Sequence, residues 1–165
     1  MPEMKWVFDT VVLSNFLLSD SLFILEERYR TRGIITWEVF DEISAGISEY
    51  PKLKMIRELI DNKAFELLSL SFAEHKHFLG LIGHLGKGEA SCVALAKEQD
   101  VIVVTDDRAA RAQCSQMRIP VSGTIGILKA SYSDNQISLD NADNILFRMI
   151  KEGFFSPVRS ISDIV

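Results

Sequence analysis

The chain has 165 residues, of which 47% are hydrophobic and 25% are charged; this suits one sizeable core and is too short for two ordinary domains. Its net charge of −5 argues against a protein that coats nucleic acid, because such proteins usually carry a strong basic excess. No apolar run approaches the ~20 residues that span a bilayer, and the opening MPEMKWVFDT lacks a secretory apolar core. We therefore expect a single cytoplasmic domain over residues 1–165.

The chain is predicted to begin with a strand and a helical region. Met4–Phe8 (MKWVF) is a short apolar run that stops at Asp9, which is typical of a buried strand. Helical segments are expected from about residue 11 to residue 30. The β-rich run at residues 33–36 (GIIT) then predicts a second short strand.

Helices and one further strand are predicted in the middle of the chain. Apolar residues at three- and four-residue spacing predict an amphipathic helix over 37–48, and Pro51 suits the first turn of another. Leu67–Phe72 is predicted to be an edge strand. The glycine-rich break at Gly80–Gly88 does not fit a phosphate-binding loop, because no Ser or Thr follows Lys87, and it reads as a turn with a helix cap.

A helix, a strand and a second helix are predicted next. The helix covers residues 89–98, and Val101–Thr105 (VIVVT) is the clearest strand of the sequence. A helix over 107–117 follows, and then a short strand and turn at 120–123.

The last predicted helix runs from near Asp140, a candidate N-cap, to Gly153, a candidate for the position after the C-cap. Strands that alternate with helices, each strand a continuous β-rich run, imply a parallel sheet covered on both faces. We therefore predict an α/β fold, a three-layer α/β/α sandwich with a mainly parallel central sheet. Open sheets of this kind bind ligands at the carboxyl ends of their strands.

Acidic residues follow two of the predicted strands. Asp9 comes directly after the first strand, and Asp106 and Asp107 come directly after VIVVT, while Glu42 and Glu89 lie on helices. Carboxylates that converge at one sheet edge raise one another's pKa unless a cation lies among them. Mg²⁺ or Mn²⁺ would suit oxygen ligands and could activate water at a phosphodiester.

Each of these acids also has an ordinary structural explanation. Asp9 suits the N-cap of the first helix, and Asp107 lies four residues before Arg111, the spacing of a helical ion pair. Glu89 gains from the dipole of its helix, and Glu42 could belong to a solvated face. The combination of acids with strand ends is what favours a metal site.

Other classes of site fit the sequence less well. A phosphatase of the haloacid dehalogenase type needs a second Asp two residues after the first, where Val11 stands. A response-regulator receiver places its acidic pair after the first strand, whereas here the pair comes late. His75 and His77 are too close to share a helix face and are expected at the surface. Cys92 and Cys114 are expected to be buried free thiols.

Several stretches in order resemble successive motifs of the PIN domain. They are VFDTVVLSNF, GKGEASCVALAKE, VIVVTDDRAARAQC, VSGTIGILKA and the ending GFFSPV. The resemblance runs from about Val7 to Pro157 and is closest to a branch of predicted nucleic-acid-binding PIN proteins with GEA, DD-x-x-AR and GT-x-G-x-L. It implies a PIN-like fold and a metal-dependent ribonuclease, of which many are toxins of bacterial and archaeal toxin–antitoxin pairs.

The resemblance also implies roles for single residues. Glu89 stands where many relatives have aspartate, and Glu38 is the fallback for the glutamate of the helix after strand two. The implied catalytic residues are Asp9, Glu42, Glu89, Asp106 and Asp107, and the implied ligands of Mg²⁺ or Mn²⁺ are Asp9, Glu89 and Asp106.

The expected substrate contacts come from polar neighbours of these acids and from basic residues near the rim, since phosphate contacts supply most of the affinity for nucleic acid. They are Thr10, Ser14, Lys87, Thr105, Arg108 and Arg111. The resemblance implies an RNA substrate, an inhibitory antitoxin protein and a homodimer. The helices between Leu22 and Ile60 are rich in Leu, Ile and Phe, which makes them the expected place for an interface. The alternative is a PIN-fold protein that binds nucleic acid or a partner without cutting.

Overall fold

One five-stranded sheet forms the centre of the computed structural model, which describes residues 3–165. Its strands are β1 (Lys5–Phe8), β2 (Gly33–Thr36), β3 (Phe65–Leu68), β4 (Val101–Val104) and β5 (Val121–Ser122). They lie in the order β3-β2-β1-β4-β5, and each neighbouring pair is parallel. This confirms the predicted parallel sheet and puts the first strand beside VIVVT at its centre.

Nine α-helices lie within the described residues. They are α1 (Thr10–Leu18), α2 (Leu22–Tyr29), α3 (Trp37–Gly46), α4 (Lys54–Asp61), α5 (Phe72–Leu81), α6 (Lys87–Glu98), α7 (Arg108–Gln116), α8 (Thr124–Ser133) and α9 (Leu139–Lys151). Every residue of β2 is buried, so successive side chains are covered on both sides of the sheet. This confirms the α/β sandwich. None of the helices in residues 3–165 is long and apolar enough to cross a membrane.

The helical region predicted over residues 11–30 is two helices. The Ser19 hydroxyl donates to the carbonyl of Asn15 at 2.8 Å, and the amide of Ser21 donates to the carbonyl of Phe16 at 2.8 Å. Between them Asp20 has a φ of +58°. These serines satisfy the last carbonyls of α1, so the chain turns and starts α2.

The predicted edge strand lies at the edge of the sheet but earlier in the chain, at Phe65–Leu68 rather than Leu67–Phe72. Ser71 ends the extended segment because it forms a capping box with Glu74, in which each side chain accepts from the other residue's backbone amide. The helix that follows, α5, was not predicted, and neither was α8.

The prediction for the last helix was wrong at its N-terminus and correct at its C-terminus. Its N-cap is Ser138, whose hydroxyl accepts from the Asn141 amide at 3.1 Å, so Asp140 was the wrong cap. At the other end Gly153 has a φ of +112°, which confirms it as the left-handed residue after the helix.

The centre of the sheet determines where the acidic residues lie. The Phe8 ring is fully buried and packs against Tyr29 and Phe65, with ring centroids 5.1 and 5.2 Å apart. One residue beyond β1, the Asp9 amide still donates to the carbonyl of Val104 at 3.0 Å. The pairing of β1 with β4 thus continues up to the first candidate acid.

The two thiols lie in the core. Cys92 on α6 and Cys114 on α7 are both free and buried, as predicted. Cys92 lies under the end of β1, with its sulfur 3.6 Å from the carbonyl oxygen of Phe8.

Candidate functional site

A cleft of about 520 Å³ opens at the carboxyl ends of β1 and β4. The acids that line it are Asp9, Glu89, Asp106, Asp107 and Glu152. It therefore brings together the three proposed metal ligands and Asp107, while Glu42 lies outside its lining. Glu152 was not anticipated, because it follows α9 and shares no motif with the other acids.

Asp9 is buried at the floor of this cleft. One carboxylate oxygen accepts from the Val12 amide at 2.9 Å, which makes Asp9 the N-cap of α1, and the other accepts from the Thr105 hydroxyl. The side chain is only 2% exposed. The capping explanation is thus correct, and Asp9 still contributes to the wall of the cleft.

The environment of Asp9 disfavours its ionised form. Its pKa is raised to about 7, chiefly by burial and to a smaller extent by the charges of Asp106 and Glu89, which together outweigh the lowering effect of the bonds from Thr105 and Val12. Among residues 3–165, no lysine or arginine forms an ion pair with any of these three acids. Arg108 is the one basic residue among the described residues that line the cleft, against five acids, so the ionised carboxylates leave an excess of negative charge there.

Asp106 is held from the far side by the start of α8. The amide and the hydroxyl of Thr124 donate to its two oxygens at 2.9 and 2.6 Å. Asn15 in turn donates to the Thr124 hydroxyl at 3.2 Å. Neither supporting residue was predicted, although both lie inside motifs that carry the family resemblance.

Gly123 permits this close approach of α8 to β4. A Cβ atom at Gly123 would lie 2.5 Å from a carboxylate oxygen of Asp106 and 3.2 Å from the carbonyl of Thr105. Distances below 3 Å require one of the groups to move, so a side chain at position 123 would displace the Asp106 carboxylate from its place beside α8.

Asp107 and Arg111 do not form the helical ion pair that their spacing allows. Asp107 caps α7 by accepting from the Ala110 amide at 2.8 Å. The Arg111 guanidinium instead donates to the carbonyls of Thr105 and Ser122, at 2.8 and 3.3 Å. Arg111 thereby connects the ends of β4 and β5.

Glu42 reaches the site from α3. It accepts from the Thr10 hydroxyl at 3.2 Å, and its pKa is raised by burial of the carboxylate end and by the charge of Glu89. A Cβ at Gly88 would lie 1.9 Å from a carboxylate oxygen of Glu42. The fallback residue, Glu38, is half-buried and lines none of the cavities around the cleft.

Only some of the predicted substrate-contact residues line the cleft. Ser14 and Arg108 line the cleft, whereas Lys87 is exposed at the start of α6 and lines neither this cleft nor its neighbour. Phe155 lines the cleft and is 96% exposed. Phe155 lies in the GFFSPV ending, but no role was predicted for it, because the exposure of an aromatic residue is set by the packing around it.

A second cavity, of about 390 Å³, lies on the other side of Asp106. Arg111, Ser122 and Gly123 form one part of its wall, and Phe155 forms another. The two cavities therefore share Asp106 and the segment that follows α9.

The chemistry of the cleft fits a hard divalent cation, because the side chains that converge there offer carboxylate oxygens and a cation would relieve the repulsion that raises the pKa of Asp9. Within residues 3–165, no group of three His, Cys, Asp or Glu side chains lies close enough together to hold a metal ion. Asp9, Glu89 and Asp106 thus share a cleft and act on one another electrostatically without a closed ligand shell.

Comparison with known protein families matches residues 5–165 to a family described as a PIN domain. The match covers both cavities and all the acids discussed above, and it confirms the resemblance found in the sequence motifs. No curated protein matches the chain.

Proposed function

The chain belongs to the PIN-domain family, and we propose from this premise that it is a metal-dependent endoribonuclease that hydrolyses RNA phosphodiester bonds. PIN domains are generally nucleases and typically use divalent metal ions. The observation that carries the proposal is Asp9, buried at 2% exposure with its pKa raised to about 7, in one cleft with Asp106 and Glu89. A buried carboxylate among other carboxylates is the environment in which a cation binds most favourably.

Asp9, Glu89 and Asp106 would hold Mg²⁺ or Mn²⁺, which supplies an activated water and stabilises the leaving oxygen when bound. Thr105 and the Val12 amide fix the orientation of Asp9. These hydrogen bonds would favour metal binding, because supporting groups of this kind keep a metal ligand in its productive orientation.

Asp106 is oriented by its two bonds from Thr124. Glu42 and Asp107 complete the proposed catalytic set. The raised pKa of Glu42 suits a group that takes up or releases a proton nearer neutral pH than an ordinary glutamate does.

The RNA backbone would be bound by the polar and basic residues around this cleft. Arg108 and Ser14 line it and are placed to contact phosphates beside the acids. Lys87 and Arg111 would act further along the strand, and Thr10 and Thr105 would act through Glu42 and Asp9, to which they donate.

The family resemblance further supports a cytoplasmic toxin that is restrained by a small antitoxin protein and acts as a homodimer. Exposed apolar side chains on the helices between Leu22 and Ile60 support an interface there. Phe23, Trp37 and Met55 are each 44–45% exposed, so a second copy that covers them would bury apolar area.

The test of the nuclease proposal is cleavage of a panel of RNAs in Mg²⁺ or Mn²⁺ by the wild type and by Asp9→Asn. We expect the wild type to cut and the variant to fail. Asp61→Asn is the matched control, since Asp61 is an exposed acid at the end of α4 and its loss should leave cleavage unchanged. Equal cleavage by wild type and Asp9→Asn would contradict the assignment.

A catalytically silent binding protein is the second candidate, and the open spacing of the acids favours it. Calorimetry with Mn²⁺ separates the two. A nuclease should bind Mn²⁺ at about pH 7.5 and lose it as the carboxylates protonate, and Asp9→Asn should bind it more weakly. No binding by the wild type would support the silent candidate.

The toxin role has its own test. Expression of the chain should arrest growth, expression of Asp9→Asn should not, and co-expression of a short neighbouring reading frame that encodes a DNA-binding protein should restore growth. Growth unaffected by the wild-type chain would overturn the toxin role and leave the nuclease proposal standing.

A further inference from the structure

Phe155 stands between the two cavities that flank Asp106. It contributes to the wall of the larger cleft, which holds the acids, and to the wall of the smaller cavity, which holds Arg111. At 96% exposure its ring is almost free of contact with the rest of the chain. Isolated exposed apolar residues are ordinary on protein surfaces, so its position between the cavities is what matters.

The segment that carries Phe155 is tied down on both sides. The Phe154 amide donates to the carbonyl of Met149 at 2.9 Å, and Phe154 itself packs against the core. On the other side Val158 also packs against the core, and its amide donates to the Ser156 hydroxyl at 3.2 Å within the segment. The Phe155 ring is thus exposed to solvent between two residues, Phe154 and Val158, that pack against the core.

The charge of the cleft limits what can bind against this ring. The larger cleft is lined by five acids and by Arg108, so phosphates are attracted there only when a cation is bound. The face of a nucleobase is flat and uncharged, and it can bind against an aromatic ring without that cation. Base–aromatic stacking is also tolerant of sequence, because every base has a π-face.

We propose that Phe155 stacks on an unpaired base of the RNA strand, next to the phosphodiester that lies at Asp9 and Asp106. The base occupies the smaller cavity, and Arg111 at its wall faces the adjoining part of the strand. The inference rests on the proposed nuclease function, since it takes the cleft as the path of an RNA strand. The base must be unpaired, because the faces of a paired base are covered by its neighbours in the duplex.

The direct test uses short single-stranded RNAs that carry the fluorescent base analogue aminopurine at one position, scanned along the strand. Binding is measured with the full chain carrying Asp9→Asn, so that the RNA stays intact, and at an Mg²⁺ concentration high enough to offset the weaker cation binding of this variant. We expect quenching at one position, and a loss of affinity of about five- to 100-fold on adding Phe155→Ala. Phe155→Trp should keep both properties, whereas Phe155→Leu should lose the quenching.

Phe72→Ala is the matched control. Phe72 is 86% exposed and starts α5 after β3, at the opposite edge of the sheet. Its loss should change neither affinity nor quenching. Since Phe155 is exposed, the thermal midpoint of Phe155→Ala should equal that of its parent.

An RNA that lacks one base gives the sharpest result. If Phe155 stacks on that base, Phe155→Ala should weaken binding of intact RNA and have no effect on RNA that is abasic at the quenched position. An equal effect on both RNAs would overturn the proposal, and so would an unchanged affinity. Loss of binding to a protein partner with RNA binding intact would also overturn it, and would assign Phe155 to that partner.

The binding series stays informative whatever the outcome of the cleavage test. A wild-type chain that cuts no RNA but shows Phe155-dependent quenching would refute the nuclease and leave the stacking site. A chain that cuts RNA equally well with Phe155→Ala, and shows no quenching, would refute the stacking site alone.

Discussion

The acids at the strand ends and the acids on the helices are held in different ways. Asp9 and Asp106 each accept two hydrogen bonds, one on each carboxylate oxygen. Glu42, which lies on α3, accepts from the Thr10 hydroxyl at 3.2 Å, a longer bond than either of those on Asp106, and its pKa is also lowered by a bond from the Gly88 backbone. The backbone of Asp9 and Asp106 is fixed by the central strands that they follow, and neighbouring segments then hold their carboxylates. The glutamate on the helix has a longer side chain, which can change its conformation more easily.

The largest expected effects therefore lie at the strand ends. Asp9→Asn and Asp106→Asn should each lower kcat/KM for RNA by more than about 100-fold, because even the groups that merely support metal ligands contribute about 10- to 100-fold. Glu42→Gln should lower it less. Cleavage rates of the three variants under one set of conditions provide the measurement, and a larger loss for Glu42→Gln would reverse the comparison.

Stability of the metal-free protein should depend on pH through Asp9. Its pKa is about 7 in the folded chain and 3.8 ordinarily, so the folded state binds more protons between these values. The stability it confers is fully present below about pH 4 and is lost as the pH rises through about 7, by roughly 2–4 kcal/mol.

Urea unfolding in a chelator at about pH 5.5 and about pH 8.5 measures the last part of this loss, about 2 kcal/mol over the ~1.5 pH units below the folded pKa. Asp9→Asn should flatten the dependence and be the more stable protein at high pH, since an amide keeps the bond from Val12 and has no charge to bury. Mn²⁺ should restore the wild type at high pH. A wild type that gains stability as the pH rises in chelator would show that the cleft does not impose this charge penalty.

Alanine substitutions at two glycines test how firmly the neighbouring acid is held, since Gly123 lies beside Asp106 and Gly88 lies beside Glu42. Gly123→Ala would press a Cβ to 2.5 Å from Asp106 and 3.2 Å from backbone, so we expect a loss of about 1–3 kcal/mol in unfolding free energy. Gly88→Ala meets the end of a flexible side chain, Glu42, which can turn away, and alanine favours the helix by about 1 kcal/mol. Its stability should change little while cleavage falls.

Gly83→Ala is the control for both, because a Cβ there meets nothing within 4 Å. Denaturant unfolding and RNA cleavage of the three variants give the comparison. If Gly88→Ala proves as destabilising as Gly123→Ala, then Glu42 is held as firmly as Asp106.

The smallest effect should come from shortening Glu89. Glu89→Asp keeps the charge and shortens the side chain by one methylene, and the adjustable helix-borne side chain should tolerate the change, so that cleavage is kept. Glu89→Gln removes the charge at constant length and should lose more. The RNA cleavage rates of Glu89→Asp and Glu89→Gln, measured in Mg²⁺ and in Mn²⁺, show whether the charge or the length of the side chain matters at this position.

The sequence was most informative where a local signal coincides with the fold. MKWVF and VIVVT end at the acids, and a parallel sheet with both strands at its centre brings those ends together. The start of α5 had such a signal too, since Ser71 and Glu74 have the spacing of a capping box, and the strand prediction over Leu67–Phe72 obscured it.

The rest of the site depends on contacts between distant parts of the chain. Asn15 and Thr124 are 109 residues apart, and their bond forms only because α8 packs beside α1. Arg111 had a plausible helical partner in Asp107, and the carbonyls at the ends of β4 and β5 bind it instead. The exposure of Phe155 likewise follows from how the segment after α9 lies on the finished fold.

Cys92 provides a built-in reporter for the floor of the cleft. Its thiol is buried against the carbonyl of Phe8, the residue before Asp9, and burial raises the pKa of the thiol well above its usual range. A thiol that is covered and protonated reacts with alkylating reagents only when the structure opens locally. The rate at which Cys92 is alkylated therefore reports how often the core beneath Asp9 opens. A cation or an RNA strand bound in the cleft should lower this rate.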